Sequence, residues 1–310
     1  TIISVLQLTT NKSLGLFFLG ESQFDDSLYY IAKTMFGGEM RVRAYGTFPH
    51  PNVLAAFAII SIAVIANDLF ISIIKNKVGV LNIKLIFKVI TISGSLLTLY
   101  LTQSRTVLFS LASSLVLLTM LGFIKSFGLK KTLIAFPSIL LLLFIPLSTF
   151  YKERFMSLLS YDRSSYINRV ELTNIVFESI AKDRVTLIFG MGPGGFLEYH
   201  SINNPIKTSF TFIIEPVHNV FLLILSEFGF IGLLILIVYI INFIIKIFIK
   251  PKDFKELIIF VFLTPYLFFA LNLDHYLITL KQGVGLFAIV ISLLHYNKYK
   301  DNKTLKDCIN

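Results

Sequence analysis

The chain has 310 residues, a net charge of +10 and a mean hydropathy of +0.78, and only 15% of its residues are charged. A soluble domain carries roughly 25% charged residues, so this composition argues against a soluble enzyme, a disordered chain and a nucleic-acid-binding protein. The single cysteine, Cys308, excludes a disulfide framework and a thiolate metal cage. The sequence begins at Thr1 without Met, and we expect a fragment or a chain whose start has been removed.

Long apolar stretches predict membrane-spanning helices, since a span needs about 20 mainly apolar residues and lipid cannot satisfy loose backbone groups. The first twenty residues contain two shorter apolar stretches separated by Asn11 and Lys12. These predict either the end of a lost helix or an interfacial segment. We therefore expect one integral membrane domain over 1–310, an all-α, polytopic bundle with six or seven spans. The predicted spans are Val53–Ile74, Ile83–Leu101, Thr106–Ile124, Thr132–Phe150, His218–Ile245, Leu257–Leu273 and the short Gly283–His295.

The basic residues predict how these spans are oriented. Lysines cluster after the first, third and fifth spans and in the C-terminal tail, and the positive-inside tendency makes that side cytoplasmic. All seven arginines lie on the opposite, extracytoplasmic side, which includes the long polar loop 151–217. The guanidinium is a planar fork suited to phosphate or carboxylate, so this segregation indicates an anionic ligand outside. Pairing of the arginines with outer acidic residues such as Glu153 and Asp162 is the alternative.

The loop 151–217 contains two features with local structure. Apolar residues between Tyr166 and Ile180 predict a short amphipathic helix on the membrane surface. Four glycines and a proline in the six residues Gly190–Gly195 exclude a regular helix and predict a turn. Such a turn either exposes amides to a phosphate or simply returns the chain to the membrane. No Gly-Lys-Ser/Thr follows, so it is not a Walker-type loop.

The loop ends in Glu215–Asn219, directly before the longest apolar helix. His218 then falls at the membrane boundary, where it either accepts a proton from a hydroxyl or is simply wetted by interfacial water. Glu227 lies inside the span, and we favour a structural role for it. Gly229 and Gly232 beside it predict close helix packing.

Five short motifs occur in a fixed order across about 190 residues. They are Arg43 through Asn52 with Gly46 and Pro51, Ser104-Arg105, Asn168-Arg169-Val170-Glu171, Gly190–Phe196, and His218-Asn219 followed by Glu227-Phe228-Gly229-Phe230-Ile231-Gly232-Leu233. Together they resemble the O-antigen ligase and polymerase superfamily, whose signature reads His-Asn, a hydrophobic stretch and Glu-x-Gly-x-x-Gly-Leu. The resemblance covers the catalytic half of that family and departs from it in lacking a Trp in the loop helix.

The resemblance implies a bundle of the lipid-carrier glycosyltransferase type, GT-C-like, that requires no metal and no cofactor. It implies glycan transfer from an undecaprenyl-diphosphate-linked donor to an acceptor hydroxyl at the outer face of the cytoplasmic (inner) membrane. A repeat-unit polymerase is favoured over a ligase with a lipid or protein acceptor, since a source without an outer membrane offers no lipopolysaccharide. Chain-length regulators and flippases are the expected protein partners. A lipid-linked glycan transporter is the rival class, and would show paired repeats and broken helices near the midplane.

The resemblance also assigns roles to residues of this chain. His218 would take the acceptor proton, while Arg105 and Arg169 would stabilise charge on the departing diphosphate. All three are expected to share one site. The expected substrate-binding residues are Arg43, Asn52, Glu171, Gly192, Gly194, Glu215 and Asn219.

Overall fold

The structure, a computed structural model, describes residues 1–28, 31–36, 38–74, 83–128, 163–203, 214–249 and 257–307. Within these ranges the chain is mainly helical and divides into two compact units. The first unit comprises Thr1–Met156, Asp253–Phe269 and Thr279–Asn310, and the second comprises Ser157–Lys252 and Ala270–Ile278.

The described elements are eleven α-helices, one 3-10 turn and two short strands. In chain order they are α1 (Ile2–Thr10), the 3-10 turn (Phe17–Leu19), β1 (Lys33–Phe36), β2 (Glu39–Val42), α2 (Pro51–Ile74), α3 (Ile83–Thr102), α4 (Arg105–Phe127), α5 (Arg163–Ala181), α6 (Arg184–Phe189), α7 (Gly195–Asn203), α8 (Val220–Ile249), α9 (Leu257–Leu273), α10 (Tyr276–Thr279) and α11 (Lys281–Asp307).

Four described helices are long and apolar enough to cross a membrane, and two shorter ones are apolar over Ile258–Leu273 and Lys281–His295. Their ends lie close to the predicted ones, so the prediction of a polytopic α-helical membrane protein is confirmed. The predicted span Thr132–Phe150 lies outside the described residues. The four long spans are Pro51–Ser72, Ile83–Thr102, Arg105–Ile124 and Val220–Ile245.

The N-terminal part of the first unit departs from a purely helical description. The first helix ends at Asn11, whose left-handed backbone (φ 57°) cannot continue it. Strands β1 and β2 then form an antiparallel hairpin with Lys33 opposite Val42. This hairpin was not predicted, because strands of four residues are too short to display an alternating apolar pattern.

Two charged residues inside the apolar helices of the first unit neutralise each other. Lys88 of α3 lies 2.8 Å from a carboxylate oxygen of Asp68 of α2, and it also donates to the hydroxyl of Ser72 at 3.0 Å. A paired charge costs far less to hold among apolar helices than an isolated one. These polar residues therefore join two helices.

The core of the second unit lies where α5, α7 and the start of α8 meet. Val176 of α5, Phe196 of α7 and Leu223 of α8 are buried in one apolar cluster. The helix predicted over Tyr166–Ile180 is confirmed as α5, although Ile167 and Val170 of its predicted apolar set are exposed. This core supports the N-terminal end of α8, where the histidine motif begins.

Helix α8 is broken at Gly229, whose backbone (φ 66°, ψ −166°) is open to glycine almost alone. The turn Gly190–Gly192 lies against this break. Amides of the turn donate to the carbonyl groups of Ser226 and Glu227 at 3.0 and 2.8 Å. The close helix packing predicted at Gly229 is found with the last residues of α6, since an added Cβ would lie 2.3 Å from the carbonyl oxygen of Ile188. The turn after α6 is held there because the broken helix offers carbonyl groups to its amides.

Candidate functional site

Two histidines and an aspartate lie together at the head of α8. The ring of His218 meets the ring of His275 edge-on, with 5.0 Å between centroids and 78° between planes. Potential ligand atoms of His218, Asp274 and His275 all lie within 4.8 Å of one another. Nε2 of His218 is 4.0 Å from Oε2 of Glu215. We name these four residues, together with Arg169, the histidine cluster.

Three hydrogen bonds hold the segments that carry the histidine cluster. Asn219 caps α8, since its Oδ1 accepts from the amide of Leu222 at 3.0 Å. Its Nδ2 donates to the carbonyl of Asn272 at 3.1 Å, near the end of α9. Arg169 reaches from α5 and donates from Nη1 to the carbonyl of Leu273 at 3.1 Å. The start of α8, the end of α9 and the middle of α5 are thereby fixed around the two imidazoles.

Burial sets the protonation states within the histidine cluster. It lowers the pKa of His218 to about 4; Arg169 and His275 act in the same direction, and the charge of Asp274 opposes them. Burial also lowers the pKa of His275. The pKa of the Glu215 carboxyl is raised, first by burial and then by repulsion from Asp274. Both imidazoles are therefore neutral near pH 7.

A neutral imidazole with an unengaged nitrogen can accept a proton. Nδ1 of His218 is buried and has no hydrogen-bond partner within the described part of the chain. The guanidinium of Arg169 supplies a permanent positive charge in the same cluster. This combination suits a reaction in which a hydroxyl loses a proton while negative charge develops nearby.

The same atoms could also hold a metal ion. Two imidazoles and one carboxylate within 4.8 Å of one another match the ligand types of a Zn²⁺ site. The guanidinium of Arg169 lowers the pKa of both imidazoles through its positive charge, and the same charge would repel a cation. Metal binding and proton acceptance would compete for the nitrogens of His218.

The structure brings four of the residues predicted from sequence into one place. Arg169, Glu215, His218 and Asn219 lie in or beside the histidine cluster of the second unit. Glu171 does not join them, because it is two residues after Arg169 and therefore points to a different side of α5. It is exposed, and its charge opposes the burial that lowers the pKa of His200 in α7.

Three other predicted residues belong to the first unit. The buried Arg43 donates from Nε to the carbonyl of Thr102 at 2.7 Å and from Nη2 to Oδ1 of Asn52 at 2.8 Å. Arg105 is the first residue of α4 and follows a tight turn at Gln103, whose φ is 50°. Arg43 thus connects the start of α2 to the end of α3, just before the turn that leads to Arg105. A shared site for Arg105, Arg169 and His218 stays a prediction.

Gly192 and Gly194, which were predicted to bind substrate, donate their amides to Glu227 of α8. The amide of Gly192 donates to the carbonyl of Glu227 at 2.8 Å, and the amide of Gly194 donates to the Glu227 side chain. Glu227 therefore holds the turn against α8, in agreement with the structural role favoured for it. A phosphate contact at these glycines stays a prediction.

Sequence reasoning missed Asp274 and His275. They follow α9 in the short connection between the predicted spans Leu257–Leu273 and Gly283–His295. An aspartate next to a histidine between two apolar helices is a detectable signal by the rule that ionisable residues at membrane depth are functional candidates. The signal was weak because both residues stand far from His218 in the chain.

The family model described as O-antigen ligase matches residues 90–237. This region is similar to the O-antigen ligase family. The match confirms the resemblance inferred from the motifs and supports glycan transfer of the ligase or polymerase type, with a lipid-linked donor and an acceptor in a membrane. No curated protein and no solved structure gives a significant match to the chain.

The O-antigen ligase match contains all three residues expected to be catalytic, namely Arg105, Arg169 and His218. Asp274 and His275 lie beyond its end. The histidine cluster is therefore built partly from the matched region and partly from the chain that follows it.

We expect the protein to lose stability as the pH falls from about 6.5 towards 4. The folded protein holds the pKa of His218 near 4 against an ordinary value of 6.5, so the unfolded chain binds more protons in this range. The stabilisation is complete above about pH 6.5 and amounts to at most about 3 kcal/mol for His218. The raised pKa of Glu215 acts in the opposite direction.

Thermal unfolding of the wild type and His218→Gln, measured between pH 7.5 and 4.5, checks this expectation. The difference in unfolding temperature between the two proteins should change with pH, since Gln cannot be protonated. A constant difference across this range would contradict the buried, neutral state of His218.

Proposed function

We propose that this protein is a metal-independent glycosyltransferase of the O-antigen ligase and polymerase type, acting at the outer face of the cytoplasmic membrane. The observation that carries the proposal is the neutral, buried imidazole of His218 beside the guanidinium of Arg169. The donor is a glycan linked to undecaprenyl diphosphate, and the acceptor is a hydroxyl.

The reaction balances with the residues of the histidine cluster. The acceptor hydroxyl passes its proton to His218 as its oxygen attacks the anomeric carbon of the donor. The bond from that carbon to the diphosphate oxygen breaks, and the lipid diphosphate leaves with its additional negative charge. Arg169 stabilises this charge, and Arg105 is the expected second cation. A single displacement inverts the anomeric carbon.

Asp274, His275 and Glu215 support His218 in this proposal. The negative charge of Asp274 favours the imidazolium that forms during the reaction, because it raises the pKa of both imidazoles. Glu215 lies 4.0 Å from Nε2 of His218, which is beyond hydrogen-bond distance, so it acts on the imidazole through its charge when ionised.

Within this class we favour a polymerase that joins two lipid-linked repeat units, with a ligase as the alternative. A lipid-linked glycan transporter is the candidate of another class. The pairing of Lys88 with Asp68 supports the transferase, because it removes two of the intramembrane charges that a transport pathway would use. The break in α8 at Gly229 is a feature expected of a transporter, but here the turn Gly190–Gly192 is hydrogen-bonded against it.

Reconstitution of the full chain in nanodiscs with a labelled lipid-linked repeat unit tests the proposal. We expect a ladder of longer glycans on the lipid carrier, formed equally well in the presence of EDTA. Transfer only to an added lipid or protein acceptor would identify a ligase. Loss of activity in EDTA would contradict the proposed metal independence. Movement of the donor across vesicle membranes with no new glycosidic bond would overturn the proposal in favour of a transporter.

A further inference from the structure

The short helix α6 and the turn after it carry an unusual apolar surface. Val185 and Phe189 expose 67% and 61% of their surface, and Leu187 and Ile188 are also exposed. Four large apolar residues in one six-residue helix therefore lack cover within the described residues. We name residues 184–192 the docked segment.

The docked segment is attached to a membrane span at some distance from the end of that span. Its last amides donate to the carbonyl groups of Ser226 and Glu227 in α8. With a rise of 1.5 Å per residue, these carbonyl groups lie about 10 Å along the helix from its first residue, Val220. This distance is a sizeable part of the roughly 30 Å hydrocarbon core.

The backbones of the docked segment and the span are in direct contact. A Cβ added at Gly190 would meet the carbonyl of Glu227 at 2.3 Å, and one added at Gly229 would meet the carbonyl oxygen of Ile188 at 2.3 Å. The span on either side of this contact is apolar and exposed: Phe228 exposes 41% of its surface and Phe230 exposes 58%. The docked segment thus lies beside a part of α8 that is itself suited to lipid.

The backbone of the docked segment satisfies the main requirement of a lipid environment, which is that polar groups be paired within the protein. Asp183 accepts from the amide of Thr186 at 2.7 Å and caps α6. The amide of Gly190 donates to the carbonyl of Thr186 at 2.8 Å, and the next two amides are bound to α8. The charged residues Lys182, Asp183 and Arg184 all precede the apolar ones, as at a headgroup boundary.

We propose that the docked segment is embedded in the membrane without crossing it, and that Val185, Ile188 and Phe189 contact the acyl chains of lipids. Acyl chains are the occupant because the segment is fixed by its backbone to the flank of a spanning helix. Exposed apolar side chains at that depth meet hydrocarbon instead of water. This inference stands independently of the proposed glycan transfer.

Fluorescence quenching tests the inference directly, because the chain contains no Trp. Phe189→Trp and Val185→Trp each introduce a sole Trp into the docked segment. Phe230→Trp serves as the matched reference in the span, and Glu198→Trp, at an exposed position of α7, serves as the reference in water. Each full-length variant is reconstituted in vesicles made of lipids with brominated acyl chains, and its quenching by bromine and by aqueous iodide is measured.

Bromine should quench Phe189→Trp and Val185→Trp to at least half the extent found for Phe230→Trp, while iodide should quench mainly Glu198→Trp. Quenching of both docked-segment variants by iodide, with little effect of bromine, would show a water-exposed surface and overturn the proposal. Failure of both quenchers would show that protein covers the segment, which overturns it equally. Circular dichroism matched to the wild type establishes that each variant is folded.

Discussion

His218→Ala is expected to lower the rate of glycan transfer by about 10²–10⁴-fold, the usual contribution of a general base. The side chain combines a pKa near 4 with a buried Nδ1 that has no partner within the described residues. Its imidazole is therefore in the neutral form at pH 7, the form that a general base requires. The measurement is the initial rate of product formation from a labelled lipid-linked donor by purified protein.

Two further variants separate the chemistry of His218 from its packing. His218→Gln keeps much of the volume without the basic nitrogen, and it should be about as inactive as the alanine variant. His295→Ala, which removes an imidazole from α11 of the first unit, should retain the wild-type rate. Near wild-type activity of both His218 variants, with the lipid substrates saturating, would defeat the assignment of His218 as the base.

Gly190→Ala and Gly229→Ala are each expected to destabilise the second unit by about 3 kcal/mol or more, combining backbone strain and steric overlap. Gly190 has a φ of 79° and a ψ of −174°, a conformation that is almost closed to other residues. The added Cβ would lie 2.3 Å from backbone atoms of the facing segment in both variants. Backbone atoms cannot move aside as the end of a flexible side chain can.

The loss of stability in Gly190→Ala and Gly229→Ala should appear as a lower unfolding temperature and as faster amide hydrogen exchange over 184–195. Gly122→Ala and Gly285→Ala are matched controls, because both glycines lie in apolar helices with no atom within 4 Å of an added Cβ. These controls should be neutral or slightly stabilising, since Ala favours a helix over Gly by up to about 1 kcal/mol. Unchanged exchange over 184–195 in Gly190→Ala would contradict the close backbone contact.

Most of the described spans could be predicted from local sequence, because hydropathy and length alone specify a helix that crosses a lipid bilayer. The bounds of α3 and α8 agree closely with the stretches predicted at Ile83–Leu101 and His218–Ile245. The end of α1 at Asn11 was likewise marked by polar residues. The β1–β2 hairpin escaped prediction because its stability depends on contacts with α1 and neighbouring loops, including the Asn11 side chain that accepts from the amide of Val42.

Only some residues of the candidate site could be predicted from local sequence. The motif around His218 identified the imidazole and its neighbour Asn219, and the family match agrees with that motif. The partners Asp274 and His275 were missed, since nothing in the chain links a short connection after α9 to the head of α8. Glu227 was noticed as an intramembrane acid, but its partner, the glycine turn, became evident only from the hydrogen bonds to that turn.

The sequence by itself determined that this is a polytopic helical membrane protein with a region similar to the O-antigen ligase family, because composition, apolar length and motif order are local properties of a chain. Only the tertiary structure decided that His218 is buried beside Asp274, His275 and Arg169, and that a glycine turn lies against a break in α8. The pKa of an imidazole and the fit of two glycine backbones depend on groups distant in sequence. Burial and hydrogen bonding bring those groups together only when the chain folds.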